Sequence, residues 1–339
     1  MSESGSKGTP LLSFIGWVLA KGIRLVSLLF AVCLISFLLM KNSPIDPIQA
    51  YVGADMLRIS PEQRAQIAHY WGLDKSLAVQ FWRWLSALAA GDFGVSMIYR
   101  QPVLTVIGER FWNSLALMTA AWALSGALGF ILGVIAAMKR NSWVDRVIKW
   151  YCYTLASTPT FWMGILLLMV FSVWLGMFPV GMGTPAGRLA EQVTLADRIY
   201  HLILPVITLS IIGVANVALH TRQKLIEVLQ SDYVLFAKAR GESGWTLVRR
   251  HGLRNIALPA ITLQFASLSE LFGGAVLAEQ VFSYPGLGQA MVNAGLRGDV
   301  PLLLGLVLFS ALFVFAGNTA ADLIYRWIDP RIREGAAIR

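Results

Sequence analysis

Six apolar stretches, each long enough to cross a lipid bilayer, constrain this chain more than any other feature of its sequence. A hydrocarbon core about 30 Å thick needs roughly 20 apolar residues in a helix. The stretches run approximately over 15–40, 115–138, 147–177, 202–219, 258–282 and 302–328, and the third and sixth are long enough to tilt or to extend past the membrane. In lipid, backbone N–H and C=O groups have to be satisfied within the segment, so the expected fold class is an all-α integral membrane protein with six transmembrane helices. The composition agrees, since 56% of the 339 residues are hydrophobic and only 14% are charged.

The formal net charge of +9 does not point to nucleic acid, because Lys and Arg gather at the ends of apolar runs and form no stripe on a soluble surface. Lys139, Arg140, Arg146 and Lys149 lie between spans two and three; Arg222, Lys224, Lys238, Arg240, Arg249, Arg250 and Arg254 lie between spans four and five. The other two short connections carry only Arg188, Arg198 and Arg297, with acids beside them. The positive-inside rule then puts both termini and the loop 221–256 in the cytoplasm. The expected organisation is a cytoplasmic tail 1–14, a first span 15–40, an external segment 41–110, a membrane core 111–328 containing spans two to six and the loop 221–256, and a cytoplasmic tail 329–339. The apolar run after the N-terminus shows no small-residue cleavage signature, which reads as a retained first helix.

The external segment is expected to be a helical cap on the membrane surface. PEQRAQIAHYWGLD and LAVQFWRWLSALAAGDFG have helical apolar spacing, with Pro61 near a start and Gly91-Asp92 as a stop. Trp71, Trp82 and Trp84 suit the interface. Cys33 and Cys152 each sit in an apolar stretch and read as small packing residues.

Catalytic and energy-coupling chemistry has no signature here. There is no GxxxxGK[ST] loop, no HExxH helix and no nucleophile elbow, and His69, His201, His220 and His251 are scattered without metal-ligand spacing. No cofactor or metal is expected on this chain.

One polar segment stands out: DYVLFAKARGESGWTLVRRHGLRN, residues 232–255. Asp232 is placed to cap or charge a helix N-terminus and Gly241 to end it, which predicts a helix of under three turns. Ala237, Ala239 and Gly241 keep its far end slim, and Gly241 and Gly244 suit a turn between two short helices. Such a helix can enter a groove on a partner, with Lys238 and Arg240 pairing with acids there, or it can pack as a hairpin on its own chain.

The pattern DYVxxAxAxG followed by HxLRNxxLP resembles the EAA coupling loop of bacterial ABC importer permeases, in the form typical of the peptide/nickel branch. Other landmarks of that branch follow in order: GLD at 72–74, Gln80, GDFGVS at 91–96, Pro102-Val103, TPTFW at 158–162, HLILP at 201–205, VFSYPGLG at 281–288 and DPRIREG at 329–335. Departures are SPIDP at 43–47 where the branch often has PGDP, Ser76 where it often has Pro, and Leu235 at the charged first position of the family motif.

The resemblance implies the type I ABC importer permease fold, in the inner (plasma) membrane of a bacterium. It implies a homologous second permease, two cytoplasmic ATP-binding subunits that use ATP and Mg on this chain's behalf, and an external solute-binding protein. The coupling residues it implies are Asp232, Tyr233, Ala237, Lys238, Ala239, Arg240, Gly241, His251, Arg254 and Asn255. The substrates it permits are dipeptides, oligopeptides, glutathione-like compounds, or nickel as a chelate or opine complex. The short 178–200 connection resembles nickel or metallophore members somewhat more than dipeptide ones.

Glu270 is the one acid expected well inside lipid depth, and an ionisable group there is a functional candidate. It either lines the pathway, or pairs within the bundle or with Ser267 and Ser269 nearby, or lies in the interface with the second permease. Around the turn Tyr284-Pro285-Gly286, Phe282 and Leu287 either plug or line the outer mouth, which makes Phe282, Tyr284 and Pro285 pathway candidates, or the turn is tightly re-entrant and purely structural. Asn318 and Asp322 are expected to pair structurally with Arg326, and Gly126, Gly129 and Gly133 to pack helices closely. Two other classes compete with a permease. A membrane enzyme needs a catalytic cluster, and an ATP-independent carrier or channel predicts an internal inverted repeat or interrupted helices; the sequence shows neither.

Overall fold

The computed structural model describes residues 10–42, 48, 60–70 and 72–328. SPIDP at 43–47, DPRIREG at 329–335 and Trp71 lie outside the described residues. The helices are α1 Pro10–Lys41, α2 Pro61–Tyr70, α3 Leu77–Ala89, α4 Val103–Met138, α5 Trp143–Ala156, α6 Thr160–Leu167 continued by a wider turn Leu168–Trp174, α7 Leu195–Leu229, α8 Asp232–Ala239, α9 Gly244–Leu247, α10 Leu253–Ala266, α11 Leu268–Val281, α12 Leu287–Arg297 and α13 Val300–Ile328.

Among the described residues, four helices are long and apolar enough to span, and six spans result if two bent pairs each count as one. The bends correct the expectation of uninterrupted helices. α5 and α6 meet at 107°. Pro159 lies between them; it lacks an N–H and bars its predecessor from helical geometry. The segment Gly244–Ala266 and α11 meet at 52° around Ser267, whose Oγ donates back to Gln264 O at 2.9 Å. By contrast Pro205 and Pro259 are carried inside α7 and α10. Span two begins at Val103, earlier than the apolar run suggests. Polar residues such as Glu109 and Arg110 continue the helix before the apolar run starts.

The chain divides into two compact units, Met1–Ile107 with Asn293–Phe315, and Gly108–Val292 with Ala316–Arg339. In the first, α2 starts at a capping box: Ser60 Oγ accepts from Gln63 N at 3.2 Å, and Gln63 Oε1 accepts from Ser60 N at 3.0 Å. α3 stops where expected, with Gly91 at φ +85. Gly91 N donates to Leu88 O and Asp92 N to Ala87 O, the paired bonds of a Schellman cap. Gln80 Nε2 donates to Leu73 O at 3.1 Å and Lys75 O at 2.7 Å, which ties the GLD turn to α3. Cys33, Phe37, Phe81 and Leu308 form an apolar cluster in this unit, and Trp84 stacks on Phe37 at 6.0 Å, whereas Trp82 is exposed.

The second unit is built on α4 and α7. A Cβ on Gly133 would stand 2.6 Å from Ala218 O, and one on Gly129 would stand 2.7 Å from Val217 Cβ. The expected close packing is therefore real, and α7 is the partner. α5 is fixed to α7 by Asp145, which is fully buried and receives Arg222 Nε at 2.6 Å and Nη2 at 2.8 Å. Cys152 packs free and buried against Ala215 and Ala218.

Candidate functional site

The segment after α7 folds as two short helices joined at a tight turn. Ser231, and not Asp232, holds the N-cap position of α8, and Asp232 occupies the first turn; the Ser231 hydroxyl makes no capping bond to α8 and donates back to Val228 O. Its far end is a second Schellman cap. Gly241, at φ +91, donates to Lys238 O at 2.9 Å, and Glu242 N donates to Ala237 O at 3.1 Å. Gly244 also has positive φ.

Val234 and Ala237 point inward and pack with Leu247, Val228 and Leu229. This separates the ten residues for which the resemblance implies a coupling role. Ala237 is buried at 5% exposure and serves as an anchor on its own chain, so it offers no contact surface. Tyr233, Leu235 and Phe236 face out, Phe236 at 66% exposure. Asp232, Ala239, Arg240 and Arg254 are also exposed. Lys238 Nζ donates to Leu229 O at 3.1 Å, a bond within its own chain that leaves the exposed ammonium with further donors. His251 faces Glu242 at 3.1 Å, and Arg250 reaches the same carboxylate at 3.4 Å. Asn255 Nδ2 bonds Tyr233 Oη at 3.1 Å and His251 O at 2.7 Å. The second half of the motif thus braces the first.

A cavity of about 490 Å³ lies among α4, α6, α7, α10 and α11. Ser125, Thr160, Asn216, His220, Ser267 and Glu270 supply its polar lining. Glu270 is exposed on it. Neither neighbouring serine serves Glu270, since Ser267 donates to Gln264 O and Ser269 donates to Asn318 Oδ1 at 2.7 Å. Asn318 is therefore engaged by span five; the side chain of Arg326 lies outside the described residues.

Phe282 and Tyr284 are buried at 2% and 6% exposure, and Leu287 at 1%. Of the alternatives, this burial fits a structural re-entrant turn whose side chains fill the hairpin. Met182 N donates to Phe282 O at 2.9 Å, and Asn113 Nδ2 donates to Pro285 O at 2.8 Å.

Sequence reasoning missed what organises this hairpin. A second acid of span five, Glu279, 1% exposed, sits in the last turn of α11. Ser114 Oγ donates to Glu279 Oε1 at 2.5 Å and accepts from Leu287 N at 2.8 Å. Glu279 Oε2 accepts from Gly288 N at 2.7 Å and Gln289 N at 3.1 Å. The first three N–H groups of α12, which no helical carbonyl can satisfy, are thereby all paired. Gly286 abuts the same carboxylate so closely that a Cβ has no room. The run of glycines around Tyr284-Pro285 was the available signal.

Two family models cover nearly the whole sequence. Residues 14–118 match the N-terminal part, and residues 129–334 match the main part, of "Binding-protein-dependent transport system inner membrane component". The chain belongs to this family. It is 33% identical over 317 residues to the oligopeptide transport system permease protein AppB of Bacillus subtilis, covering 93% of this chain and 98% of the relative. It is 36% identical over 329 residues to the di/tripeptide transport system permease protein DppB of Pseudomonas aeruginosa, covering 91% and 96%. It is 35% identical over 324 residues to the glutathione transport system permease protein GsiC of Escherichia coli K12, covering 94% and 99%. Its fold matches the inward-facing MetNI methionine ABC transporter with a TM-score of 0.55 at 16% identity, over 67% of this chain and 97% of that one.

The chain is thus a multi-pass inner-membrane permease subunit of a binding-protein-dependent ABC importer, and not an enzyme. Such a subunit works with ATPase and binding-protein components.

Proposed function

We propose that this permease forms one half of the membrane pathway of an ATP-driven importer of short peptides, with a homologous second permease as the other half. The three relatives named above handle oligopeptides, di- or tripeptides and glutathione, itself a tripeptide. Nickel appears in none of those names, so the lean toward metallophores drawn from the 178–200 connection is dropped. Both termini and the loop 221–256 lie in the cytoplasm, and residues 41–110 lie outside.

The observation that carries the proposal is the division of α8 into two faces. Val234 and Ala237 hold it to the permease, while Tyr233, Leu235 and Phe236 present an apolar patch outward among basic residues. Exposed aromatics centred on a rigid helix are what a docking contact on an ATPase subunit requires. Closure of the ATPases would then move α8, and the bonds from Asn255 and His251 would carry the movement toward span five. The cavity lined by Glu270 supplies the pathway surface.

The test is reconstitution. The permease pair with its ATPase subunits and binding protein, in proteoliposomes, should import labelled dialanine only with ATP and binding protein present. Uptake by the permease alone, without ATPase subunits, would sink the reading.

A further inference from the structure

The break in span five bears on the charge in the cavity. Because α11 restarts after Ser267, Glu270 stands in its first turn. There the positive end of the helix dipole favours a carboxylate. Among the described residues that line the cavity there is no lysine or arginine, and the titratable group beside Glu270 is His220. A carboxylate at membrane depth that faces an open cavity without a counter-charge is costly. That cost falls whenever the cavity holds a cation.

The remaining lining suits a small polar solute. Ser125, Thr160 and Asn216 offer hydrogen bonds, while Leu209, Ile212 and Leu271 are apolar and featureless. The volume, about 490 Å³, lies within the range of roughly 300–1,000 Å³ typical of small-ligand sites.

We infer that Glu270 is a recognition residue of this cavity and that its carboxylate receives the primary ammonium group of the passing solute. On the peptide reading, on which this rests, that group is the α-ammonium of a short peptide. An ammonium carries three donors on a compact charge, so one carboxylate fixes the end common to all such peptides. The apolar wall then accepts varied side chains, which lets a single site pass many sequences.

Two measurements test this. In the reconstituted complex at saturating binding protein, Glu270→Gln should lower ATP-dependent dialanine uptake at least about tenfold, as expected when one partner of a charge pair is removed, and Glu270→Asp should recover most of it. Uptake by Glu270→Gln at the wild-type rate overturns the inference. The second measurement uses the unsubstituted complex, so no variant has to fold. Modification of Glu270 by dicyclohexylcarbodiimide, followed by mass spectrometry, should slow with saturating dialanine and not with N-acetyl-dialanine. Protection by both or by neither overturns the inference. If the complex imports no dialanine while dialanine alone still protects Glu270, the peptide reading fails and the ammonium site stands.

Discussion

Ser114 on α4 and Glu279 on α11 share a 2.5 Å hydrogen bond, with both side chains withdrawn from solvent. The bond joins spans two and five, and through the N–H groups of Leu287, Gly288 and Gln289 it also fixes the start of α12. Glu279→Gln keeps the shape but replaces one accepting oxygen with a donor, which faces either Ser114 or two backbone N–H groups. A buried group left unpaired costs about 1–3 kcal/mol, so this variant should lose stability of that order. Thermal unfolding of the detergent-solubilised complex measures it, and an unshifted midpoint would remove the organising role given to Glu279.

Asp145 and Arg222 present a different balance. Two charge-assisted bonds in a fork hold α5 on α7, and Lys149 approaches Asp145 at 3.9 Å. Removing one member of a buried pair leaves the other stranded, at about 3–5 kcal/mol. Asp145→Ala should therefore be severely destabilised. Arg222→Lys should not substitute, because an ammonium cannot reproduce the planar fork. The double variant Asp145→Leu with Arg222→Met should be more stable than Asp145→Ala. Yield and monodispersity on size-exclusion chromatography rank the three; if Asp145→Ala matches the parent, the pair does not hold α5.

The parts legible in the sequence are those written in local patterns. Span positions follow from hydropathy, and the C-terminal end of α8 follows from Gly241, which sits within a few residues of the carbonyls that the turn satisfies. The three carboxylates buried among the described residues could not be read that way. Glu279, Asp145 and Asp299 meet partners 165, 77 and 203 residues distant, and in a hydropathy window each is merely a charge near a span end. The inward turn of Ala237 is of the same kind. An eight-residue helix with apolar residues on several sides has no face marked as inner until α7 and α9 are in place.

Asp299 tests whether the GDFGVS landmark is structural. Its carboxylate accepts Ser96 Oγ at 2.6 Å and Ile98 N at 2.9 Å, and its other oxygen accepts Leu302 N at 3.2 Å at the start of α13. Asp299→Ala removes a helix cap and orphans two donors, so a loss of roughly 2–5 kcal/mol is expected. Asp299→Asn should cost less, since the amide oxygen still accepts. Hydrogen exchange read on peptides covering residues 94–102 should rise sharply in the first variant and modestly in the second. Equal protection in all three proteins would show that Asp299 does not hold this segment.

The exposed and buried faces of α8 separate coupling from folding. Ala237→Asp forces a charge against Val234 and Leu247, and Gly241→Asp places a side chain at φ +91. Lost transport in either variant therefore reports on the fold as much as on docking. Phe236 is the better probe, since it is 66% exposed and its removal leaves the anchoring side of α8 intact. A central aromatic contact at an interface is worth about 2 kcal/mol or more. Phe236→Ala should accordingly keep normal expression and membrane insertion while weakening ATPase-subunit retention and ATP-dependent uptake about thirtyfold. Raising the ATPase-subunit concentration should restore part of the uptake, because weakened association is corrected by mass action. Wild-type uptake by Phe236→Ala with undiminished retention of the ATPase subunits would refute α8 as the docking element.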